Sequence, residues 1–171
     1  MRILLTGMSG VGKTTALAEL QKHGFVVIDL DATGICRWKN KNTGEFTEYG
    51  FTGKNSQWLA EHGWYCDMET LKKLLSCISE DKWVFIAGMS QNIKDFSKIF
   101  DKIFILDAGK ETIEKRLIER TNNHFAKKGD ERDYMFKYTQ EQLAQLENPV
   151  TIDAYQKPEV VAQSILDYLN H

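Results

Sequence analysis

The feature that most constrains this chain is a glycine-rich segment near its start, Gly7-Met8-Ser9-Gly10-Val11-Gly12-Lys13-Thr14. The segment matches the pattern G-x-x-x-x-G-K-[ST] at every specified position. It follows the apolar run 3–5 and precedes a stretch in which Leu17 and Leu20 lie at helical spacing. Glycines let a backbone wrap around phosphates with N–H groups pointing inward, and a helix N-terminus adds partial positive charge. The segment therefore predicts a strand, a phosphate-binding loop and a helix.

The motif predicts which residues bind the phosphates of ATP. They are Gly7, Ser9, Gly10, Val11, Gly12, Lys13, Thr14 and Thr15. In such loops the lysine reaches the β- and γ-phosphates, and the hydroxyl of the last motif residue ligates Mg²⁺. Lys13 and Thr14 take these two roles here. Because kinases, GTPases and motor ATPases share the motif, it predicts nucleotide binding without specifying the reaction.

The sequence matches the further motifs of GTPases and motor ATPases poorly. Asp31-Ala32-Thr33-Gly34 has the letters D-x-x-G of a GTPase but lies unusually close behind the loop. Asn92-Ile93-Lys94-Asp95 has the letters of the guanine motif N-K-x-D in the wrong order. The later strand 85–88 lacks the Asp-Glu pair typical of a motor ATPase. These departures favour a kinase.

Strands and helices alternate along the rest of the chain. Apolar runs predict strands at 2–6, 25–28, 83–87, 103–106 and 150–152. Helical spacing predicts helices at 14–24, around Ile93, at 111–120 and 133–146, and from Pro158 onward. Continuous apolar runs are typical of strands buried on both faces. The order predicts a single domain, 1–171, with a three-layer α/β/α fold around a five-stranded parallel sheet.

Two segments interrupt the alternation. Residues 33–66 are polar and rich in aromatic side chains, and residues 121–132 are short and charged. Long excursions from an α/β core are typical of functional segments, so we predict an acceptor-binding segment at 33–66 and a lid at 121–132. Trp38, Trp58 and Trp64 either pack as a satellite core or form a stacking surface for a planar acceptor, and packing is favoured.

Two carboxylates follow the second predicted strand, Asp29 and Asp31. They lie at the carboxyl edge of the sheet, where ligands bind in open α/β folds. At alternate positions of an extended strand, both would project the same way. Phosphoryl transfer to an alcohol needs one carboxylate near Mg²⁺ and another that accepts the hydroxyl proton. A solvated acidic turn is the alternative explanation.

Two arginines, Arg116 and Arg120, lie four residues apart on one face of the helix that precedes the predicted lid. Guanidinium groups at this place would stabilise negative charge on the transferred phosphoryl group. The alternative is a solvent-facing helix with ordinary Glu/Arg pairing.

Together these residues resemble the small P-loop kinases that include shikimate kinase, gluconate kinase and the nucleoside monophosphate kinases. The loop 7–15 resembles that of gluconate kinase, and Asp29 and Asp31 resemble the paired aspartates of shikimate kinase. Residues 116–125 and 145–149 look like the lid and following helix of gluconate kinase. Residues 153–161 look like the loop that packs on adenine.

The resemblance implies roles for single residues. Asp29 joins Thr14 near Mg²⁺, and Asp31 contacts the acceptor hydroxyl. Gln156 lies in the adenine loop, where its position alone suggests a contact. Two acceptor contacts remain: Arg37 is the only arginine of the segment 33–66, and Gly88 falls where shikimate kinase has a glycine-rich acceptor loop.

The composition of the chain indicates which binding partners and which cellular location to expect. A net charge of -2 gives no strong nucleic-acid signal. Three cysteines without a CxxC pair indicate reduced thiols and a cytoplasmic protein. No apolar run approaches the ~18 residues of a membrane span, and a monomer or homodimer is expected.

The sequence thus predicts an ATP- and Mg²⁺-dependent phosphotransferase acting on a small hydroxyl-bearing metabolite. Lys13, Asp31, Arg116 and Arg120 would be its catalytic residues. A nucleoside monophosphate kinase is the first alternative. An ATP-binding regulatory protein with slow ATPase activity is the alternative from a different class.

Overall fold

A computed structural model describes residues 1–47, 56–121, 125–127 and 129–170. Its strands are β1 Arg2–Gly7, β2 Val26–Asp29, β3 Cys36–Asn40, β4 Phe46–Thr47, β5 His62–Cys66, β6 Val84–Ala87, β7 Lys102–Asp107 and β8 Val150–Asp153. Its helices are α1 Lys13–Lys22, α2 Leu30–Thr33, α3 Ser56–Glu61, α4 Met68–Ser76, α5 Ile93–Phe96, α6 Lys110–Glu119, α7 Gly129–Leu143 and α8 Pro158–Leu169, with a 3-10 turn at Ser97–Ile99.

The predicted parallel sheet is present with five strands, in the order β2-β6-β1-β7-β8. Alternate residues of β1 point to opposite faces. Ile3 and Leu5 join the apolar cluster that includes α1 and α8, whereas Leu4 joins the cluster with α4 and α5. Both faces of the sheet are therefore covered, which explains the apolar runs inside its strands, and the predicted three-layer α/β/α fold is confirmed.

The segment 33–66 contains regular structure that its sequence did not indicate. β3 pairs with β4 and with β5 in a small antiparallel sheet, and Trp38 lies directly opposite Trp64. The helix α4 follows at once, because the Asp67 carboxylate accepts hydrogen bonds from the N–H groups of Glu69 and Thr70 at its first turn. The chain therefore builds a second, aromatic-rich layer beside the carboxyl edge of the main sheet.

Two expectations about local structure are wrong. The backbone is not extended through Asp31, because β2 ends at Asp29 and Asp31 lies in the first turn of α2. The helix predicted at 133–146 spans Gly129–Leu143. Parts of the acceptor segment and of the lid, His124 included, lie outside the described residues. Within the described ranges, no helix has the length and apolarity needed to cross a bilayer.

Candidate active site

The glycine-rich loop between β1 and α1 has a backbone that its glycines make possible. Gly7, Gly10 and Gly12 have φ angles of 138°, 82° and 112°, which side chains rarely tolerate. A Cβ on Gly7 would lie 2.5 Å from the carbonyl oxygen of Leu106. One on Gly10 would lie 3.0 Å from Leu117. The loop therefore packs closely against β7 at Gly7 and against α6 at Gly10, and a side chain at either position would disturb that contact.

Lys13 folds back over this loop. Its Nζ donates hydrogen bonds to the carbonyl oxygens of Gly7 at 2.9 Å and Met8 at 3.1 Å. Burial lowers the pKa of Lys13, while the nearby Asp31 and Asp29 carboxylates oppose that shift and Arg120 adds to it. The ammonium group is thus held at the loop, close to both aspartates, where a polyphosphate would provide the counter-charge that its burial calls for.

Thr14 and Asp29 form a pair next to Lys13. The Thr14 hydroxyl donates to Asp29 Oδ2 at 2.7 Å, and Asp29 Oδ1 accepts from the Asp31 N–H at 3.0 Å. The second bond caps α2 and orients the Asp29 carboxylate. A hydroxyl and a carboxylate side by side are the oxygen ligands that Mg²⁺ prefers, so these residues fit the metal.

A bound Mg²⁺ would need few protein ligands here. Among the residues that the structure describes, no cluster of three or more His, Cys, Asp or Glu side chains is arranged to hold a metal. Mg²⁺ in nucleotide sites is bound by one or two protein groups together with substrate phosphates and waters. Thr14 and Asp29 provide that number of protein ligands.

Asp31 lies beside Lys13 and opens onto a cavity. Its Oδ1 accepts a hydrogen bond from Trp64 Nε1 at 3.0 Å. Desolvation by the surrounding protein raises the pKa of Asp31, and Asp29 raises it further, while Lys13 and the Trp64 hydrogen bond oppose the shift. A carboxylate with a raised pKa is a stronger base than an ordinary aspartate, which is the property that proton abstraction from a hydroxyl uses.

The two arginines of the α6 end contact the loop. Arg116 donates to the Val11 carbonyl at 2.8 Å and to the Ala154 carbonyl at 3.2 Å. Arg120 donates to the Ser9 hydroxyl at 3.1 Å and to the carbonyl of Phe125. Both side chains reach the phosphate-binding loop, and their predicted contact with the transferred phosphoryl group stays a prediction.

The loop after β8 is tied to the phosphate-binding loop through Arg116. Gln156 in this loop is exposed, and its Nε2 donates to Asp153 Oδ2 at 3.2 Å. Neighbouring Tyr155 is 67% exposed. The adenine contact of Gln156 stays a prediction, as does the phosphate contact of Thr15, which is exposed in the first turn of α1.

A cavity of about 830 Å³ extends from Lys13 and Asp31 between the small sheet and α7. Apart from these two residues, its described lining is Ser9, Gly34, Cys36, Arg37, Trp38, Phe46, Thr47, Leu59, His62, Gly63, Trp64, Met89, Phe125, Tyr134, Met135, Tyr138 and Thr139. Sequence reasoning missed the contribution of α7. Its signal was the spacing of Tyr134 and Tyr138, four residues apart on one helix face.

Besides Asp31, two acceptor residues were predicted, and the structure places them differently. Arg37 lines the cavity, with its guanidinium 4.0 Å from the centre of the Phe46 ring and 4.0 Å from Asp67 Oδ2. Gly88 is buried, and a Cβ there would lie 2.7 Å from Leu30 Cδ1. Packing against Leu30 therefore explains the glycine, and the next residue, Met89, lines the cavity instead.

Comparison with known proteins agrees with this architecture. Residues 3–137 match a family described as an AAA domain. No curated protein matches the sequence. Many solved structures match nearly the whole chain, among them the following three.

A shikimate kinase from Bacteroides thetaiotaomicron is 20% identical with a TM-score of 0.62, and the match covers 100% of this chain and 99% of that one. A shikimate kinase from Acinetobacter baumannii in complex with shikimate is 18% identical with a TM-score of 0.63, covering 99% and 92%. A deoxyadenosine kinase from M. mycoides with bound dATP is 15% identical with a TM-score of 0.58, covering 100% of both. The predicted resemblance to small P-loop kinases is confirmed at the level of the fold.

Proposed function

Since this chain belongs to the AAA domain family and has the fold of the small P-loop kinases, we propose that it transfers the γ-phosphoryl group of ATP to a hydroxyl group of a small metabolite. The names of its structural neighbours, which are kinases of small molecules, agree with the predicted ATP:small-molecule kinase. A cytoplasmic location and a monomeric or homodimeric state stay predictions.

The proposal is supported above all by Asp31, which lines the cavity together with Lys13 and interacts electrostatically with it. A hydroxyl group in the cavity can give its proton to the Asp31 carboxylate, whose raised pKa favours proton uptake. The hydroxyl oxygen then forms the new bond to phosphorus as the bond to the leaving ADP oxygen breaks. Trp64 orients the base through its hydrogen bond to Oδ1.

The other predicted site residues would stabilise the negative charge of the ATP phosphates. Arg120 lies close enough to Lys13 to lower the pKa of the lysine, and both side chains contact the phosphate-binding loop. Their positive charges would stabilise the transferred group, and Arg116 would hold the loop in shape. Thr14 and Asp29 would hold Mg²⁺, which when bound offsets the negative charge of the phosphates.

The first test is ADP formation from ATP·Mg²⁺ with separate pools of sugar acids, shikimate, nucleosides, nucleoside monophosphates and a metabolite extract. We expect one pool to stimulate ADP formation and Lys13→Ala to reduce the stimulated rate by about 10³-fold. Lys22→Ala is the matched control, because Lys22 lies on the same helix and pairs with Glu19 at the surface.

Two outcomes contradict the proposal. Tight ATP binding without stimulation by any pool favours the regulatory alternative. Stimulation by nucleoside monophosphates alone, with Asp31→Asn fully active, favours the nucleoside monophosphate kinase, because an attacking phosphate needs no base.

A further inference from the structure

Aromatic rings line the cavity beyond Asp31. Trp38 and Trp64 lie on the small sheet with their ring centres 5.4 Å apart, and Phe125 lies 5.8 Å from Trp38. Tyr134 and Tyr138 contribute from α7, with parallel rings 6.2 Å apart. All five are among the residues that line the cavity, and all are only partly buried. Ring surface is therefore available to a ligand from the sheet side and from the helix side.

A second layer holds the sheet-side rings in place. Trp58 contacts Trp38 edge-on at 5.1 Å and stacks on His62 at 4.1 Å. His62 Nδ1 is 2.8 Å from the Trp58 carbonyl, and its Nε2 is 3.4 Å from Asn40 Nδ2. Both ring nitrogens of His62 therefore lie within hydrogen-bond distance of neighbouring groups, which holds the ring against Trp58. The sheet-side wall is thus preorganised.

The helix-side wall contains a hydroxyl group without a partner. Tyr134 donates to the Leu59 carbonyl at 2.8 Å. The Tyr138 hydroxyl is buried and has no hydrogen-bond partner among the described residues. Burial also raises the pKa of Tyr138, so the phenol keeps its proton and remains a donor. Buried hydroxyls are nearly always satisfied, and an orphan in a cavity wall indicates a ligand atom that accepts.

The charged side chains near the rings disfavour binding of a ligand that carries a net charge. Arg37 lies over the Phe46 ring and near Asp67. Lys39 lies 5.7 Å from the Phe46 ring centre and 5.6 Å from that of Tyr65. A cationic ligand would meet the like charge of Arg37 in the cavity lining. An anionic ligand would find, in the described lining, only Arg37, which is already engaged, and Lys13, which lies at the phosphate loop.

We propose that the acceptor is an uncharged alcohol whose body is a planar heteroaromatic ring, as in a nucleoside. The ring of the ligand lies between Trp38 and Trp64 on one side and Tyr134 and Tyr138 on the other. The hydroxyl-bearing part of the ligand faces Asp31, and an acceptor atom of its ring accepts a hydrogen bond from the Tyr138 hydroxyl. This rests on the proposed function for the hydroxyl at Asp31. The volume of about 830 Å³ accommodates such a molecule.

Binding and transfer are tested separately. Calorimetry with Mg²⁺ and a non-hydrolysable ATP analogue compares nucleosides, their 5′-monophosphates, shikimate, gluconate and choline. We expect nucleosides to bind more tightly than each of the others. Tyr138→Phe should weaken nucleoside binding by about tenfold through loss of one hydrogen bond, and Trp38→Leu by at least about tenfold through loss of stacking.

Trp83→Phe is the control, since Trp83 stacks on Phe25 against the main core, and it should bind as the unaltered protein does. Circular dichroism checks folding, and Tyr138→Phe keeps its ring if Trp38→Leu does not fold. Tighter binding of a monophosphate, an acid or choline overturns the inference, as does unchanged affinity in Tyr138→Phe. ADP formation with a non-aromatic acceptor also overturns it while leaving the proposed kinase intact. Nucleoside binding without any ADP formation supports the ring site and contradicts the proposed kinase.

Discussion

The two ends of the candidate site are built by different means. At the nucleotide end, glycines with positive φ angles, backbone carbonyls and two arginines hold one loop against β7 and α6. At the acceptor end, side-chain rings from β3, β5 and α7 meet across a cavity. The first arrangement depends on local backbone geometry, whereas the second depends on tertiary packing between distant segments.

This difference has a functional consequence. A change at the nucleotide end or at Asp31 should impair transfer to every acceptor equally. A change among the rings should alter which acceptor is used and leave the chemistry of the phosphates alone.

Asp31→Asn should lower kcat by about 10³-fold for every acceptor, because the amide cannot take the hydroxyl proton. Steady-state kinetics with two different acceptors measures the effect, and equal losses support the division. Asp95→Asn, a surface carboxylate paired with Lys98 on α5, is the control and should retain full activity. An unchanged kcat in Asp31→Asn would remove this residue from the mechanism.

The pH profile should show the same base. The active form of Asp31 is deprotonated, so kcat/KM should fall by about tenfold per pH unit below its pKa. Desolvation raises that pKa, so the acidic limb should begin above the ordinary aspartate value of about 3.9. Asp31→Asn should abolish this limb. A limb that persists in that variant would come from another group.

Gly7→Ala should destabilise the protein by about 3 kcal/mol, measured by urea unfolding. Its φ of 138° is unfavourable for alanine, and the new Cβ would lie 2.5 Å from the Leu106 carbonyl oxygen. Gly24→Ala is a close control, because Gly24 also has a positive φ, 87°, but nothing lies within 4 Å of its added Cβ. It should cost about 1 kcal/mol, the conformational part alone. Equal losses in both variants would show that the close contact with β7 is unimportant.

Arg120→Ala should lower kcat by about 10²-fold for all acceptors, because a positive charge at the loop is lost. Rapid-quench or steady-state assays with two acceptors measure it. Lys115→Ala, exposed on the same helix, should have full activity. A loss confined to one acceptor would place Arg120 on the acceptor side of the division.

Arg37→Gln should change acceptor affinity by less than about threefold, the smallest effect expected here. The guanidinium is half exposed and engaged with Phe46 and Asp67, and such surface pairs contribute little. Calorimetric titration with nucleosides and with shikimate measures it. A large loss specific to the acid would instead make Arg37 the anchor of a carboxylate, contrary to the proposed uncharged acceptor.

The nucleotide end was largely predictable from sequence for a physical reason. The positive-φ glycines, Lys13 and Thr14 are neighbours in the chain, so their spacing alone encodes their geometry. Asp29 and Asp31 were placed at the correct edge, but for a partly wrong reason. Asp29 caps α2 and turns the chain, so Asp31 reaches Lys13 from a helix and not from an extended strand.

The acceptor end was not predictable in this way. The hydrogen bond between Trp64 and Asp31 joins residues 33 positions apart, and no spacing rule connects them. Tyr134 and Tyr138 show helical spacing, but nothing in the sequence indicates that their face looks onto Trp38 and Trp64. The packing role predicted for the tryptophans holds for Trp58, while Trp38 and Trp64 pack together and also line the cavity.

The hydrogen bond from the Trp64 indole to Asp31 has an optical consequence. The excited state of an indole responds to a charge at its N–H group, so the emission of Trp64 should follow the ionisation of the carboxylate beside it. The protein thereby carries an intrinsic chromophore on its own candidate base. Proton uptake at Asp31 can therefore be followed by the fluorescence of Trp64, without a label and without a turnover assay.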